Sequence, residues 1–249
     1  MSYDLRNIKL TIAYDGTDFS GWQSQKNQRT VQETIETALA KLHKKPVPIT
    51  GAGRTDSGVH AEGQAAHFHT DIKNMEAWRF IPALNGLMSQ DVRILNAEEV
   101  DGDFHARFDA KARTYRYRLI CGRRALPQEL RYNLQVWRQP SIGRLNEYAR
   151  FFRGEMDCTM FAAQGDPSES KHRYLFGAYF FIQGGVMIFE ITANAFLWKM
   201  VRSIVGTLLH YEEKGISPED FRHIIEGNDR LLAGPTASPV GLSLWKVSY

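Results

Sequence analysis

The segment GAGRTDSGVHA, at residues 51–61, carries the side chains best suited to chemistry. Its glycine density predicts positive φ angles or close backbone approach, and therefore a rigid loop. The three glycines are Gly51, Gly53 and Gly58. This loop presents the carboxylate of Asp56 two residues from the guanidinium of Arg54, with His60 four residues on. A fixed carboxylate can act as a nucleophile, although the same spacing is typical of a turn in which it caps backbone amides.

Other chemistries find little support in this region. The loop lacks GK[ST] and the spacing of GxGxxG, so it does not predict a phosphate cradle, and no GxSxG elbow surrounds Ser57. The histidines at positions 60, 67 and 69 lack an HExxH pattern or a flanking carboxylate set. We therefore predict neither a metal site nor a cofactor, and the carboxylate remains the best candidate.

A basic strand is predicted around RTYRYRL, inside the Lys- and Arg-rich segment 105–124. Strand alternation places Arg116 and Arg118 on one face and Tyr115 and Tyr117 on the other. One face could meet phosphate groups and the other a base, which makes this segment a candidate RNA-binding surface. Its candidate substrate-binding residues are Arg107, Lys111, Arg116 and Arg123, together with Tyr115. The alternative is a solvated charged strand whose tyrosines pack in the core.

A long apolar helix is predicted over Phe196–Glu212. Arg202 falls at the border of its apolar stripe, beside Leu209. There it either extends its guanidinium to solvent or pairs with a carboxylate from elsewhere in the fold, which would keep that carboxylate ionised.

Length and composition indicate an ordinary folded protein. The chain has 249 residues and a net charge of only +3, so any attraction for nucleic acid depends on where the charges lie. The two cysteines, Cys121 and Cys158, show no CxxC spacing, which fits a reducing compartment. No apolar run reaches the length of a membrane span and no signal peptide is evident, so we expect a cytoplasmic protein without membrane contact.

The order of predicted elements is β-α-β-β-α-β in the first half and repeats roughly in the second. It predicts an α+β fold of two ferredoxin-like halves fused side by side. The sheet would be mostly antiparallel, with helices on one face and an open RNA-binding cleft. We place the first half, with the Asp56 loop, at residues 1–108 and the second, with the basic strand and the Arg202 helix, at 109–249. Short elements include strands at Pro46–Thr50 and Val92–Val100 and a helix at Ala77–Leu87. Thr30 and Glu33 are spaced as a capping box, which predicts the start of another helix at Val31.

Four segments in order resemble the tRNA pseudouridine synthase A family. They are GRTDSGVHA (53–61), FHARFDAKARTYRYRL (104–119), NAFLWKMVRSIVGTLL (194–209) and AGPTASPVGL (233–242). The opening AYDGTDFSGWQ and the segment WRFIPALNGLMSQDV are also similar to the family, so the resemblance covers nearly the whole chain. Small departures occur at Ser57, after Leu87, and at Ala195, Lys199 and Ser238.

The resemblance implies an enzyme that isomerises uridine to pseudouridine at positions 38, 39 and 40 of the tRNA anticodon stem-loop, without metal or cofactor. It implies that Asp56 is the nucleophile, that Tyr115 lies against the target base, and that Arg202 pairs with Asp56. Arg54 would help to hold the nucleotide out of the stack. The family also implies a homodimer whose RNA groove is built from two subunits.

Two other classes of protein remain as alternatives at this point. A non-catalytic RNA-binding module would use the same basic strand but would not need Asp56 and Arg202 to act together. A metal-dependent hydrolase would need the histidines at 60, 67 and 69 to converge. Within the favoured class, the residues also leave open whether Asp56 attacks C1′ or C6.

Overall fold

The structure, a computed structural model, describes residues 5–249 and divides them into two compact units. The first unit reaches to Lys111 and also takes in Leu244–Tyr249, and the second is Ala112–Ser243. The predicted division into functional halves after residue 108 stays a prediction.

The first unit has the ferredoxin-like order of elements. They are β1 (Arg6–Tyr14), α1 (Val31–His43), β2 (Thr50–Gly51), β3 (His60–Thr70), α2 (Phe80–Asn85) and β4 (Val92–Val100). The strand order is β4-β1-β3, with β2 on β3, and all of these pairs are antiparallel. Strand β10 (Leu242–Ser248) lies beside β3. The predicted α+β class with mostly antiparallel pairing is confirmed.

The second unit repeats most of this order with three additions. Its elements are β5 (Ala112–Cys121), β6 (Leu134–Val136), α3 (Ile142–Ala149), β7 (Gly154–Asp157), β8 (His172–Gln183), β9 (Val186–Ala193), α4 (Met200–Lys214) and α5 (Pro218–Glu226). The strands run in the order β5-β9-β8-β7, all antiparallel, and the short β6 pairs parallel to β5. Strands β6 and β7 and helix α5 are the additions to the β-α-β-β-α pattern.

Helix starts follow the capping residues written in the sequence. The Thr30 hydroxyl accepts the N–H of Glu33 before α1, as the predicted capping box requires. Ser141 and Ser217 cap α3 and α5 in the same way. Each cap satisfies a backbone N–H that the first helical turn leaves without an intrahelical partner.

Three predicted elements need correction. The strand predicted at Pro46–Thr50 shrinks to the two residues of β2, because the chain before it makes no ladder. The helix predicted at Ala77–Leu87 is a 3₁₀ turn, Ala77–Arg79, followed by α2. Helix α4 begins at Met200 and not at Phe196, because Lys199 adopts left-handed backbone angles that cannot continue a helix.

No helix among residues 5–249 is both long enough and apolar enough to cross a bilayer.

Candidate active site

The Asp56 loop is anchored through the residue before it. Thr55 is buried, and its Oγ1 lies 2.8 Å from the hydroxyl of Tyr14, at the end of β1. Its carbonyl oxygen accepts the N–H of Trp22 at 3.1 Å. Both the side chain and the backbone of Thr55 are therefore held by the segment after β1, which fixes the origin of the Asp56 side chain. Sequence reasoning missed Thr55, since a lone threonine in a polar loop gives no signal.

The turn after Asp56 is held by its own backbone. The N–H of Val59 donates to the carbonyl of Asp56 at 3.1 Å, and Gly58 takes a φ of +76°. The N–H of Gly58 donates to Phe19, as does the Ser57 hydroxyl. These contacts make the loop a closed turn that leaves Asp56 half-buried.

Glycines set the distance between this loop and its neighbours. A Cβ on Gly51 would lie 2.6 Å from the indole of Trp22, and one on Gly21 would lie 2.5 Å from the carbonyl oxygen of Thr55. Gly53, in contrast, has neither a positive φ nor a neighbour within 4 Å. The predicted rigidity thus depends on Gly51 and Gly58 within the motif, and on Gly21 outside it.

The polar neighbours of Asp56 in the motif, Arg54 and His60, each contact different residues of the chain. Arg54 is exposed, and its Nε donates to the side chain of Gln23 at 3.0 Å. His60 is buried, where its Nδ1 accepts the N–H of Gly16 and lies 3.3 Å from a carboxylate oxygen of Asp15. His60 therefore supports the segment after β1.

Three further histidines of this unit, at positions 67, 69 and 105, form a packed group. His67 on β3 is buried, and its Nδ1 accepts the N–H of Ala106. Its ring centroid lies 5.0 Å from that of His105 and 5.7 Å from that of His69. Burial, aided by the two neighbouring histidines, lowers the pKa of His67 to about 4. Within residues 5–249, no group of three or more His, Cys, Asp or Glu side chains is placed to hold a metal ion.

Strand β5 separates its aromatic and basic side chains as predicted. Tyr115 and Tyr117 are buried, whereas Arg116 and Arg118 on the opposite face are half-buried. The ring of Tyr115 meets that of Phe196 edge to face at 5.1 Å. Tyr115 is thus held in a defined orientation by Phe196, which lies four residues before the start of α4.

Two of the predicted RNA-binding arginines already have carboxylate partners. Arg116 Nε lies 2.6 Å from Glu190 on β9, and Arg123 makes two hydrogen bonds to Glu129. The Arg123 guanidinium lowers the pKa of Glu129 to about 2. These local pairs reduce the positive charge that the two arginines offer to RNA.

The other two predicted RNA-binding residues lie on an exposed stretch of the first unit. Arg107 and Lys111 are both exposed. The Arg107 guanidinium lies 5.7 Å from the ring of Phe108, which is 75% exposed and stacks on His105 at 4.2 Å. This is the kind of basic and aromatic surface that single-stranded nucleic acid prefers.

Arg202 lies in the first turn of α4, under a segment that crosses the helix. Its Nε donates to the carbonyl of Ala237 at 2.7 Å, and the Ala237 N–H donates back to the carbonyl of Arg202. A Cβ on Gly206 would lie 1.7 Å from the carbonyl oxygen of Pro235, so that backbone passes directly over the helix. Gly234 is held nearby by the hydroxyl of Thr207. We call residues 233–237 the strap.

The strap changes the environment predicted for α4. The sequence predicts one apolar stripe, yet polar and small residues outside it, such as Ser203, Gly206 and Thr207, are also buried. Arg202 remains half-buried, in keeping with its predicted position at the border of the stripe. This close contact could have been inferred from the sequence, because glycines occur on both sides of it, at positions 206 and 234.

A family model described as tRNA pseudouridine synthase matches residues 10–109 and 148–249. The chain belongs to the tRNA pseudouridine synthase family. It is 53% identical to the tRNA pseudouridine synthase A of Treponema denticola, over 100% of this chain and 95% of that protein. Identity is 49% to the Treponema pallidum (Nichols) enzyme, over 96% and 88% of the two chains, and 41% to that of Ruminiclostridium cellulolyticum, over 98% and 100%.

Membership of the tRNA pseudouridine synthases confirms the predicted activity. The protein is an isomerase that converts uridine to pseudouridine in tRNA. The alternatives of a non-catalytic RNA-binding module and of a metal-dependent hydrolase are set aside with this result.

Proposed function

We propose that this pseudouridine synthase acts on uridines 38, 39 and 40 of the tRNA anticodon stem-loop, with Asp56 as the nucleophile. The observation that carries the proposal is the closed turn that presents Asp56, anchored at Thr55 and Val59. A nucleophile must be held in a fixed geometry, and here neighbouring main-chain contacts supply that constraint.

The reaction itself suits a single carboxylate. The C1′–N1 bond of uridine breaks and a C1′–C5 bond forms, while C5 loses a proton and N1 gains one. The conversion is redox-neutral and consumes no water. Addition of the Asp56 carboxylate to the nucleotide, followed by its departure, divides one difficult step into two easier ones.

We assign supporting roles to three residues. Tyr115, whose ring packs against Phe196, lies against the target base and helps to remove the C5 proton. Arg202 is the charge partner that we assign to Asp56, and its planar guanidinium suits the orientation of a carboxylate. Arg54, exposed and steadied through its Nε by Gln23, retains terminal guanidinium N–H groups that can hold the flipped nucleotide outside the stack.

The cost of base flipping must be offset by RNA contacts. Removing a uridine from a stem costs a few kcal/mol, which phosphate contacts and stacking can repay. We assign phosphate contacts to Arg107, Lys111, Arg116 and Arg123. The exposed ring of Phe108 beside Arg107 supports this assignment most directly.

We further propose that the enzyme is a cytoplasmic homodimer. A tRNA is longer than a protein of this size, so two copies would extend the RNA-binding surface. Light scattering at the assay concentration should give twice the mass of one chain. A monomeric mass together with full activity would rule the dimer out.

Tritium release tests the proposed target. Unmodified tRNA carrying 5-³H-uridine should lose tritium from C5 when the enzyme is added, in step with pseudouridine formed. A tRNA with cytidine at positions 38, 39 and 40 should lose none, and restoring uridine at 39 should restore release. Equal release from the cytidine-substituted tRNA would place the target elsewhere.

A further inference from the structure

The segment between β9 and α4 exposes an aromatic ring beside a cation. The indole of Trp198 is 44% exposed, and Lys199 Nζ lies 4.7 Å from its ring centroid. This distance is within the range of a cation–π interaction. The two side chains together present a flat apolar surface next to a positive charge.

The backbone of Lys199 does not explain the choice of lysine. Its φ of +59° and ψ of 9° lie in the left-handed region, where glycine is favoured and L side chains are rarely found. Glycine would adopt these angles with less strain. The backbone of the segment therefore does not account for a lysine at this position.

A buried carboxylate holds this segment in place. The side chain of Asp166 is 3% exposed, and its Oδ2 accepts the N–H of Trp198 at 2.6 Å. Its Oδ1 accepts from the N–H of Ser168 and from Lys171 Nζ. The carbonyl of Trp198 accepts the N–H of Ala163 at 3.0 Å. The main chain at Trp198 is thus fixed on both sides, which lowers the entropy lost when the ring engages a ligand.

Asp166 keeps its charge across the pH range in which tRNA is stable. Burial raises the pKa of its carboxyl, but hydrogen bonds from Lys171 and from the N–H groups of Trp198 and Ser168 outweigh burial. The net result is a pKa well below the ordinary range for aspartate. The anchor is therefore a carboxylate whenever the enzyme works.

We propose that Trp198 and Lys199 form a tRNA contact, in which the indole stacks on an unpaired nucleobase and the ammonium meets an adjacent phosphate. Stacking is available to every base, and the cation suits the phosphate that follows each base in the chain. Trp198 lies only four residues before Arg202, so the contact borders the end of α4 that carries a proposed catalytic residue. The inference rests on tRNA being the substrate.

Binding of an unmodified tRNA transcript tests this contact. Trp198→Ala should raise the Kd for tRNA about tenfold, the typical value of one base stacked on an aromatic ring. Trp198→Phe should raise it less, because a smaller ring still stacks. The matched control is Trp137→Ala, since Trp137 is 73% exposed in the same unit, and it should leave the Kd unchanged.

Lys199→Gly separates a binding role from a structural one. Glycine relieves the left-handed backbone, so the melting temperature should stay the same or rise, while tRNA binding weakens. The slope of log Kd against log salt should become shallower by about one, the value expected for one lost phosphate contact. A slope and a Kd equal to those of the wild type would show that Lys199 does not meet a phosphate.

Two outcomes overturn the proposal without touching the enzymatic assignment. If the wild type releases tritium normally and Trp198→Ala binds tRNA like the wild type, the contact does not exist. If Trp198→Ala instead shifts the mass measured by light scattering at unchanged affinity for tRNA, the surface serves a second protein chain. Equal tritium release from the cytidine-substituted tRNA would count against the proposed target uridines and not against this contact.

Discussion

The Asp56 loop and the start of α4, which carries Arg202, hold their charged side chains in two different ways. In the loop, hydrogen bonds through Thr55 and Val59 fix the backbone on either side of Asp56. In α4, the strap passes so close to Gly206 that no side chain fits between them. The first arrangement fixes a position through polar contacts and the second through close packing.

The difference predicts which changes each region tolerates. Contacts of Thr55, Ser57, Gly58 and Val59 hold the loop, and an asparagine at position 56 keeps the shape of the aspartate side chain, so Asp56→Asn should leave the turn intact. Around Gly206 even one methyl group must displace backbone. We therefore expect activity and stability to separate in the loop and stability to dominate under the strap.

The largest effect should follow Asp56→Asn. The amide keeps the shape of the side chain but removes the nucleophile, so tritium release should fall by at least about a thousandfold. The melting temperature and tRNA affinity should stay near wild type, because binding depends mainly on phosphate contacts. Tritium release near the wild-type rate would show that another group attacks the nucleotide.

Arg202→Lys should have the next largest effect. Lysine keeps the charge but lacks the planar fork and the Nε that donates to Ala237, so turnover should slow by roughly ten- to a hundredfold. The affinity for tRNA should change much less. Combined with Asp56→Asn, the substitution should add little further loss, since residues that act as a unit are not additive. If the losses of turnover in the two single variants instead multiply in the double variant, the two residues act independently.

A pair of glycine substitutions tests the strap directly. Gly206→Ala places a Cβ 1.7 Å from the carbonyl oxygen of Pro235 and should cost about 3 kcal/mol, lowering the melting temperature by roughly 6 to 12 °C. Gly143→Ala, in α3 of the same unit, meets only the Ser141 hydroxyl at 3.9 Å. It should be neutral or stabilising by up to about 1 kcal/mol. Similar melting temperatures for both variants would mean that the strap moves away from the added methyl group with little loss of stability.

The smallest expected effect is a loss of stability at acidic pH. Because burial lowers the pKa of His67 from 6.5 to about 4, the unfolded chain binds a proton in this interval that the folded protein refuses. Stability should therefore fall as the pH drops from 6.5 towards 4. His67→Asn keeps an acceptor for Ala106 but does not titrate, so its urea midpoint should fall less between pH 7 and pH 5. The control is His223→Asn on α5, where the His223 side chain is 74% exposed, and this variant should lose stability as the wild type does.

Periodicity and capping residues predicted most of the fold. Thr30 marked the start of α1, and β4 runs over the predicted residues 92–100. Strand β7 escaped prediction because GEMD is too short to alternate, and it forms only by pairing with β8. The start of α4 was placed too early because the apolar pattern continues through Phe196 and Leu197, whereas Lys199 interrupts the helix.

The sequence predicted the chemically active side chains of the site better than it predicted the residues that hold them in place. Asp56 and Arg54 could be singled out from glycine density and residue type alone. Thr55 and Asp166 could not, because each acts through a tertiary contact that leaves no local pattern. The carboxylate partners of Arg116 and Arg123 were also invisible, since strand register and loop closure decide which acid meets which base.

The last strand has a consequence for synthesis of the chain on the ribosome. Tyr249 donates its hydroxyl to Ala106, packs on Phe104 at 4.9 Å and lies under Lys9. Phe104 and Tyr249 cover a cluster formed by Ala52, Ala65 and Ala106, in which Ala52 belongs to the Asp56 loop. The first unit is therefore begun by the earliest residues and completed by the latest, after the 132 residues of Ala112–Ser243 have been made. The loop of the proposed nucleophile, Asp56, should therefore become rigid only after the second unit has been made.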